Sequence, residues 1–257
     1  MDDATLLRLS DLNLADFNRD TARGTAGGLV HDEAGLTCFL PSHRLPVGAV
    51  GAIRTDPRVA AADAFARAEA FFSSHRSGFT MWAATHQDAD LIALLDGRGI
   101  SIFGDRASPG MVLERRLEDR PPPNGARIVQ VTDSAGVRDF GHVSGLAYAT
   151  YGMPPEIATV QFAESAFWLA PHIAMFVAYV GSTPQAAAMT YCSHGVGGVY
   201  WVGTTPEARG RGLAEACTRV ATNTGFDMGG RVALLQASVM GAPIYRRMGY
   251  REITRYP

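Results

Sequence analysis

The hydrophobic and polar positions of the chain change period repeatedly, and each change predicts an element. Residues 4–22 place Leu6, Leu9, Leu12, Leu14 and Phe17 on one side of a helix, ahead of a Gly-rich break at 24–28. Stretches 36–40 and 47–53 read as strands separated by a turn-prone 41–46. Pro57 precedes an alanine-rich helix over 59–74, anchored by Phe65, Phe71 and Phe72. A strand at 79–84, a helix at 89–95 closed by Gly97 and Gly99, and strands near 100–103 and 111–117 follow. Beyond the sequence RLEDRPPPNGAR at 116–127, residues 127–132 alternate like a strand, and Ser134 is placed to cap a helix reaching about residue 149. A turn at 151–155 leads to a second helix over 156–169. The unbroken apolar run 173–180 predicts a buried strand, paired across 181–184 with 185–193. Residues 199–202 form another strand, which Pro206 stops. From a helix start near Gly210, Leu213, Ala216, Cys217, Val220, Ala221 and Phe226 recur at helical spacing. A strand at 231–238, a short helix and a terminal strand end the chain.

The two halves repeat an order. Strand, Pro57, helix, strand, short helix, Gly99-Ile100, strand is matched by strand, Pro206, helix, strand, short helix, Gly249-Tyr250, strand. Setting Pro57 on Pro206 places Asp63 where the second copy has Gly212, so an internal duplication would leave its first copy without the glycines. Three consecutive prolines favour an extended spacer. The expected organisation is therefore a first domain over 1–120, a linker over 121–126 and a second domain over 127–257.

Composition narrows the class. The 257 residues are 47% hydrophobic and 19% charged, enough for a real core and unlike a disordered chain. Formal charge is -2; residues 1–126 carry 13 Arg against 17 Asp and Glu, and residues 127–257 carry 10 against 8. Neither half has the basic excess of a nucleic-acid binder. The acidic N-terminus and the lack of a long apolar run disfavour export and membrane insertion, so a cytoplasmic location is expected. Cys38, Cys192 and Cys217 are odd in number and scattered, which argues against a disulfide framework or a structural zinc site, and no metal is expected.

The chemistry concentrates in YWVGTTPEARGRGLA, residues 200–214. Gly210 and Gly212 fall at the mouth of a helix, where backbone N–H groups lack intrahelical partners and the dipole is positive. Without side chains there an anion can approach closely, with Arg209 and Arg211 adding positive charge. Small residues that only ease helix packing account for one Gly-x-Gly equally well. A P-loop is excluded, because it requires a lysine and all 23 basic residues are arginine. A dinucleotide fingerprint is weak, since Ala214 stands at the third glycine and the next strand ends in Gln236, Ala237 and Ser238.

The run Arg209, Gly210, Arg211, Gly212, Leu213, Ala214 resembles the acyl-CoA motif of the GNAT acetyltransferase superfamily, Arg/Gln-x-x-Gly-x-Gly/Ala after a strand. Downstream, GAPIYRRMGYREITRY resembles that family's last helix, Gly-aromatic step and terminal strand. The resemblance is specific over 197–257 and looser over 127–196. It implies an α/β (α+β) GNAT fold, a mixed and mostly antiparallel sheet flanked by helices, with two GNAT-like lobes in tandem and the first degenerate. It further implies an acetyl-CoA-dependent N-acetyltransferase working by direct attack in a ternary complex. Val202, Gly203 and Thr204 would hold the pantetheine arm and Gly210 to Glu215 the pyrophosphate. Ser238 stands where many relatives carry a cofactor-contacting asparagine, and Tyr245 would protonate the departing thiolate. The acceptor would be a small-molecule amine or a peptide N-terminus, with nucleic acid and membrane excluded and a homodimer left open. The strand at 197–204 has no carboxylate to act as general base, which leaves Glu156, Glu164, His172, His194 or a water chain. Tyr151, Met153, Phe162 and Trp168 fall in the region that shapes the family's acceptor pocket. Two other readings are a non-catalytic acyl-CoA-binding regulator and a ligand-free interaction module.

Overall fold

The computed structural model describes residues 1–43, 49–100, 107–123 and 125–257. In chain order the elements are α1 (Asp3–Arg23), β1 (Leu29–Glu33), β2 (Leu36–Leu40), β3 (Gly51–Arg54), α2 (Ala61–Ser74), β4 (Thr80–Trp82), α3 (Ala89–Gly97) and β5 (Ser108–Leu113). They continue with β6 (Ala126–Gln130), α4 (Ser134–Tyr148), a 3-10 turn at Ala149–Tyr151, α5 (Pro155–Gln161), α6 (Ser165–Trp168), β7 (Ile173–Val180), β8 (Thr183–Ser193) and β9 (Val196–Thr204). A second 3-10 turn at Pro206–Ala208 leads to α7 (Leu213–Asp227), β10 (Val232–Gln236), α8 (Ala242–Met248) and β11 (Arg251–Tyr256). The strand expected near 100–103 lies almost wholly outside the described residues. No helix among the described residues is long and apolar enough to cross a membrane.

The chain divides into two compact units, Met1–Met111 with Gln236–Pro257, and Val112–Leu235. The divisions fall inside β5 and at the end of β10, and the proline segment expected as a linker lies within the second unit.

In the first unit β1-β2-β3-β4 form a sheet, antiparallel except for the β3–β4 pair, which α2 connects in parallel. Leu36, Cys38, Leu40, Val50 and Ala52 pack on Ala64, Ala68 and Phe72 of α2. α1 is capped by Asp2, whose carboxylate accepts the Thr5 N–H at 2.7 Å. The chain end also belongs to this unit. The Thr85 N–H donates to the Arg255 carbonyl (2.9 Å), the Arg255 N–H donates to Thr85 Oγ1 (3.1 Å), and the Trp82 and Tyr256 rings meet edge on at 6.0 Å. Gly110 of β5 makes room for this strand, since a Cβ there would lie 2.6 Å from Thr254 Cγ2.

In the second unit the strand order is β10-β9-β8-β7-β6, an antiparallel meander closed by the parallel β9–β10 pair across α7. Asp133, not Ser134, caps α4, its Oδ1 accepting the Gly136 N–H at 2.8 Å. The expected helix over 156–169 is broken into α5 and α6, and the indole N–H of Trp168 spans the break to the Gln161 carbonyl at 2.9 Å. α7 meets β9 through two glycines, a Cβ on Gly197 falling 2.8 Å from Gly225 Cα. One stripe of α7 clamps the segment before the prolines. Asn223 exchanges hydrogen bonds with the Leu117 backbone (2.9 and 3.1 Å), Arg219 donates to the Glu118 carbonyl (3.1 Å) and to Glu215 (3.1 Å), and Arg116 donates to Asp227 (3.2 Å).

Candidate functional site

β9 organises the site. Its ladder with β10 pairs only Val196, Gly197 and Gly198, so the parallel neighbour leaves β9 well before Thr204. On its other side β9 pairs with β8, but the register slips: Ala187 faces Gly203 and Met189 faces Tyr200, so Trp201 and Val202 share one opposite residue. This is a bulge, and Trp201 sits in it at φ +50, a left-handed conformation that a bulky residue rarely takes. The inserted residue reverses the alternation of the strand. Gly197 meets α7, whereas Gly203, six residues on, meets α4, where a Cβ would fall 2.6 Å from Ala147 Cβ. Val202, Gly203 and Thr204 are thus half-buried on a strand edge that β10 has left. The hydroxyl of Thr204 is buried there without a hydrogen-bond partner.

The glycine loop follows. Gly210 and Gly212 lie outside the helix expected to start near Gly210, both left-handed at φ +74 and +75, with Gly212 as the N-cap of α7. The left-handed turn needs residues without Cβ, so the glycines shape the approach to α7 as well as leaving it bare. A Cβ on Gly210 would meet nothing within 4 Å, and one on Gly212 would meet only Pro123 Cγ at 3.6 Å. The first N–H groups of α7, from Leu213, Ala214 and Glu215, therefore face an open, uncapped turn. Arg211 is exposed, and Arg209 donates to Thr150 Oγ1 at 3.2 Å. Glu215 directs its carboxylate to Arg219 (3.1 Å), which leaves its backbone as its contribution to the turn.

Ser238 and Tyr245 belong to the first unit. The Ser238 hydroxyl accepts the Gly241 N–H at 3.1 Å and its carbonyl accepts that of Ala242 at 2.9 Å, so the residue shapes the start of α8. Tyr245 is 8% exposed, packed 6.0 Å from the Tyr250 ring, and Gly241 admits it, since a Cβ there would lie 2.8 Å from Tyr245 Cε2.

Of the base candidates, His194 forms the β8–β9 hairpin turn at φ +52, roughly 30 Å of strand from Thr204 at about 3.3 Å per residue. His172 stacks its edge on Tyr191 at the same hairpin end. Glu156 and Glu164 are exposed on α5 and just before α6. Burial disfavours the thiolate of each cysteine, pushing Cys38 and Cys217 up to about 12 and raising Cys192. Among the described residues no group of three His, Cys, Asp or Glu could hold a metal ion.

The first unit repeats the later part of that strand order, two antiparallel pairs and then a parallel pair across a helix, but not the opening. Its β3 is paired with β4 at Gly51, Ala52 and Ile53 and ends one residue later. The loop to its helix, 55–60, is shorter than 205–212 and has no glycine. Matching the helix starts puts Ala60, at φ -57, in the place of Gly212, and Asp63 one turn further in, paired with Arg67 at 3.3 Å. Beyond β3 the space is filled by the guanidinium of Arg54, wholly buried. It donates to Asp88 (2.9 Å), to Asp90 (2.6 and 2.9 Å), and to the carbonyls of Val59 (3.0 Å) and Gln87 (3.2 Å). Sequence reading missed Arg54, the Trp201 bulge and the position of Pro123, because none departs from the local period.

Residues 175–253 match the family model described as an acetyltransferase (GNAT) domain. Among solved structures, a GCN5-related N-acetyltransferase from Kribbella flavida has TM-score 0.69 at 18% identity, covering 96% of this chain and 93% of its own. A conserved protein of unknown function from Staphylococcus epidermidis has TM-score 0.60 at 19% identity, covering 89% and 92%. A GCN5-related N-acetyltransferase from Sphaerobacter thermophilus has TM-score 0.56 at 17% identity, covering 87% and 75%. No curated protein matches the chain. At these identities the likeness to solved structures is one of fold, and it agrees with the matched segment. Residues 175–253 thus carry a GNAT acetyltransferase domain, in a chain whose fold is that of the GCN5-related N-acetyltransferases.

Proposed function

We propose that the chain moves an acetyl group from acetyl-CoA to an amine acceptor by direct attack in a ternary complex. The observation that carries this reading is the early end of the β9–β10 ladder beside a bulge, followed by two left-handed glycines at the start of α7. The residues present fit the cosubstrate. The strand edge at Val202, Gly203 and Thr204 offers backbone groups that a pantetheine arm can pair with as an added strand. The orphaned Thr204 hydroxyl supplies a further donor on that edge. Gly210 to Glu215, flanked by Arg209 and Arg211, suit a pyrophosphate at a positive helix end.

Acetyl-CoA supplies the activated acyl group; the protein's residues orient it and manage charge. A backbone N–H of the 202–204 strand serves as the oxyanion donor. Tyr245 is assigned as proton donor to the thiolate, on its place in the last-helix motif, and Ser238 is retained as a cofactor-side residue secondary to its part in α8. A base on the protein is not assigned.

Calorimetric titration with acetyl-CoA tests the reading, with one site per chain as the expected result. Gly212→Asp should weaken that affinity more than about tenfold, because aspartate tolerates the left-handed backbone and the change acts chiefly through its negative charge. Absence of heat with the wild-type protein would overturn the proposal, and two sites would overturn the degeneracy of the first half. Tyr245→Phe is expected to lower kcat by about a hundredfold with acetyl-CoA affinity unaltered. Wild-type turnover in that variant would remove the acid role.

A further inference from the structure

We propose that the acceptor is a primary amine carried on an aromatic or similarly flat apolar body, and that Trp201 is the residue that selects it. This deepens the acyltransferase reading and rests on it. The bulge places a tryptophan where glycine is the usual solution, next to the strand edge assigned to the pantetheine arm. Its ring is held from two sides, 5.1 Å from Tyr148 on α4 and 5.2 Å from Phe162 after α5. Below it the aromatic stack runs into the core: Phe162 meets Phe140 at 5.1 Å and Trp168 at 4.6 Å, and all three are buried. Above it the stack runs out to solvent, with Trp201 and Tyr148 half-buried and Tyr151, 6.0 Å from Tyr148, 42% exposed.

A continuous set of rings thus leads from the core to the surface beside the reacting edge. Its buried part fixes the Trp201 ring, and its outer part presents apolar faces. Flat apolar groups gain most from such faces, by offset or edge contact with the rings. A polycationic acceptor instead needs carboxylates converging on its charges, and Glu156, Glu164 and Glu207, which flank these rings in sequence, all stand exposed to solvent. In the step itself the neutral amine nitrogen adds to the thioester carbonyl carbon, the C–S bond breaks, the sulfur leaves with a proton from Tyr245, and the proton that the amine gives up restores the phenol. The ring set holds the acceptor's body and takes no part in that exchange.

The test is CoA release with β-phenylethylamine and tryptamine as acceptors, against spermidine and kanamycin, for the wild type, Trp201→Ala and Trp201→Phe. Calorimetry with acetyl-CoA accompanies each protein. The wild type is expected to favour the aromatic amines in kcat/KM. Trp201→Ala should raise their KM at least about tenfold with kcat within about threefold, and Trp201→Phe should keep KM within about threefold. Acetyl-CoA affinity should stay within about twofold throughout, which also reports the fold. A preference for spermidine or kanamycin, or an unchanged aromatic-amine KM in Trp201→Ala, overturns the inference. If the wild type binds acetyl-CoA but acetylates neither aromatic amine, this inference falls and the acyltransferase reading stands. If it binds no acetyl-CoA, both fall.

Discussion

Arg54 does more than fill space at the end of β3. Its guanidinium is shared by two carboxylates in opposite surroundings, Asp88 with a side chain 2% exposed and Asp90 with one 57% exposed. Burial raises the Asp88 pKa despite hydrogen bonds from the Ala84 N–H and Arg54, whereas the Arg54 hydrogen bond holds Asp90 down to about 2. An unfolded aspartate titrates near pH ~3.9. The Asp90 contribution is therefore complete above that value and lost as pH falls from about 4 towards about 2, where the unfolded chain takes up the proton first. Urea midpoints measured across this window should fall slightly further for the wild type than for Asp90→Asn. Equal slopes would mean that the pair carries no linkage. Because Asp90 is mostly exposed, solvent screens the pair and the effect is modest.

Single elements were legible where one period ran unbroken. The strand at 36–40 and the strand at 173–180 have their expected bounds, and the helix expected over 59–74 forms at Ala61–Ser74. Reading failed where backbone geometry overrides period. β1 is mostly exposed, and its Leu-Val-His-Asp-Glu sequence has no apolar alternation to betray an edge strand. The helix over 156–169 stops at Gln161, whose carbonyl takes the Trp168 indole N–H, a contact that spacing does not encode. In the site, the glycine loop could be located from its residue types, but not its left-handed backbone. The bulge at Trp201 was invisible, since an inserted residue in a strand of aromatic and β-branched side chains looks like any other. The early end of the β9–β10 ladder depends on a partner far along the chain, beyond the reach of local pattern.

At the scale of the whole molecule, the last two elements complete the first unit. α8 and β11 come after the second unit in sequence, yet Arg251 pairs with Asp3 (2.8 Å), the Tyr256 hydroxyl meets that of Ser10 (3.3 Å), and His86 bridges Thr254 (2.8 Å) and Asp11 (2.9 Å). Burial raises the Tyr256 phenol well above its ordinary pKa, as expected for a core residue. A chain ending at Leu235 is therefore expected to lose hydrogen-exchange protection in β1 to β4 while keeping it in β6 to β9. Full protection of the first sheet in that truncated chain would show that β11 is dispensable to it.

The same interleaving sets a timetable for synthesis. Chains usually fold in the order in which they leave the ribosome, the N-terminal part first. Here residues 1–111 emerge early, but α8 and β11 are translated only after the whole of the second unit. The first unit must wait, its place for β11 unfilled, while the whole of the second is made, and it closes only once α8 and β11 have emerged. A newly made molecule thus has its glycine loop before it has a finished first unit, and the helix that bears Tyr245 is set in place after that loop.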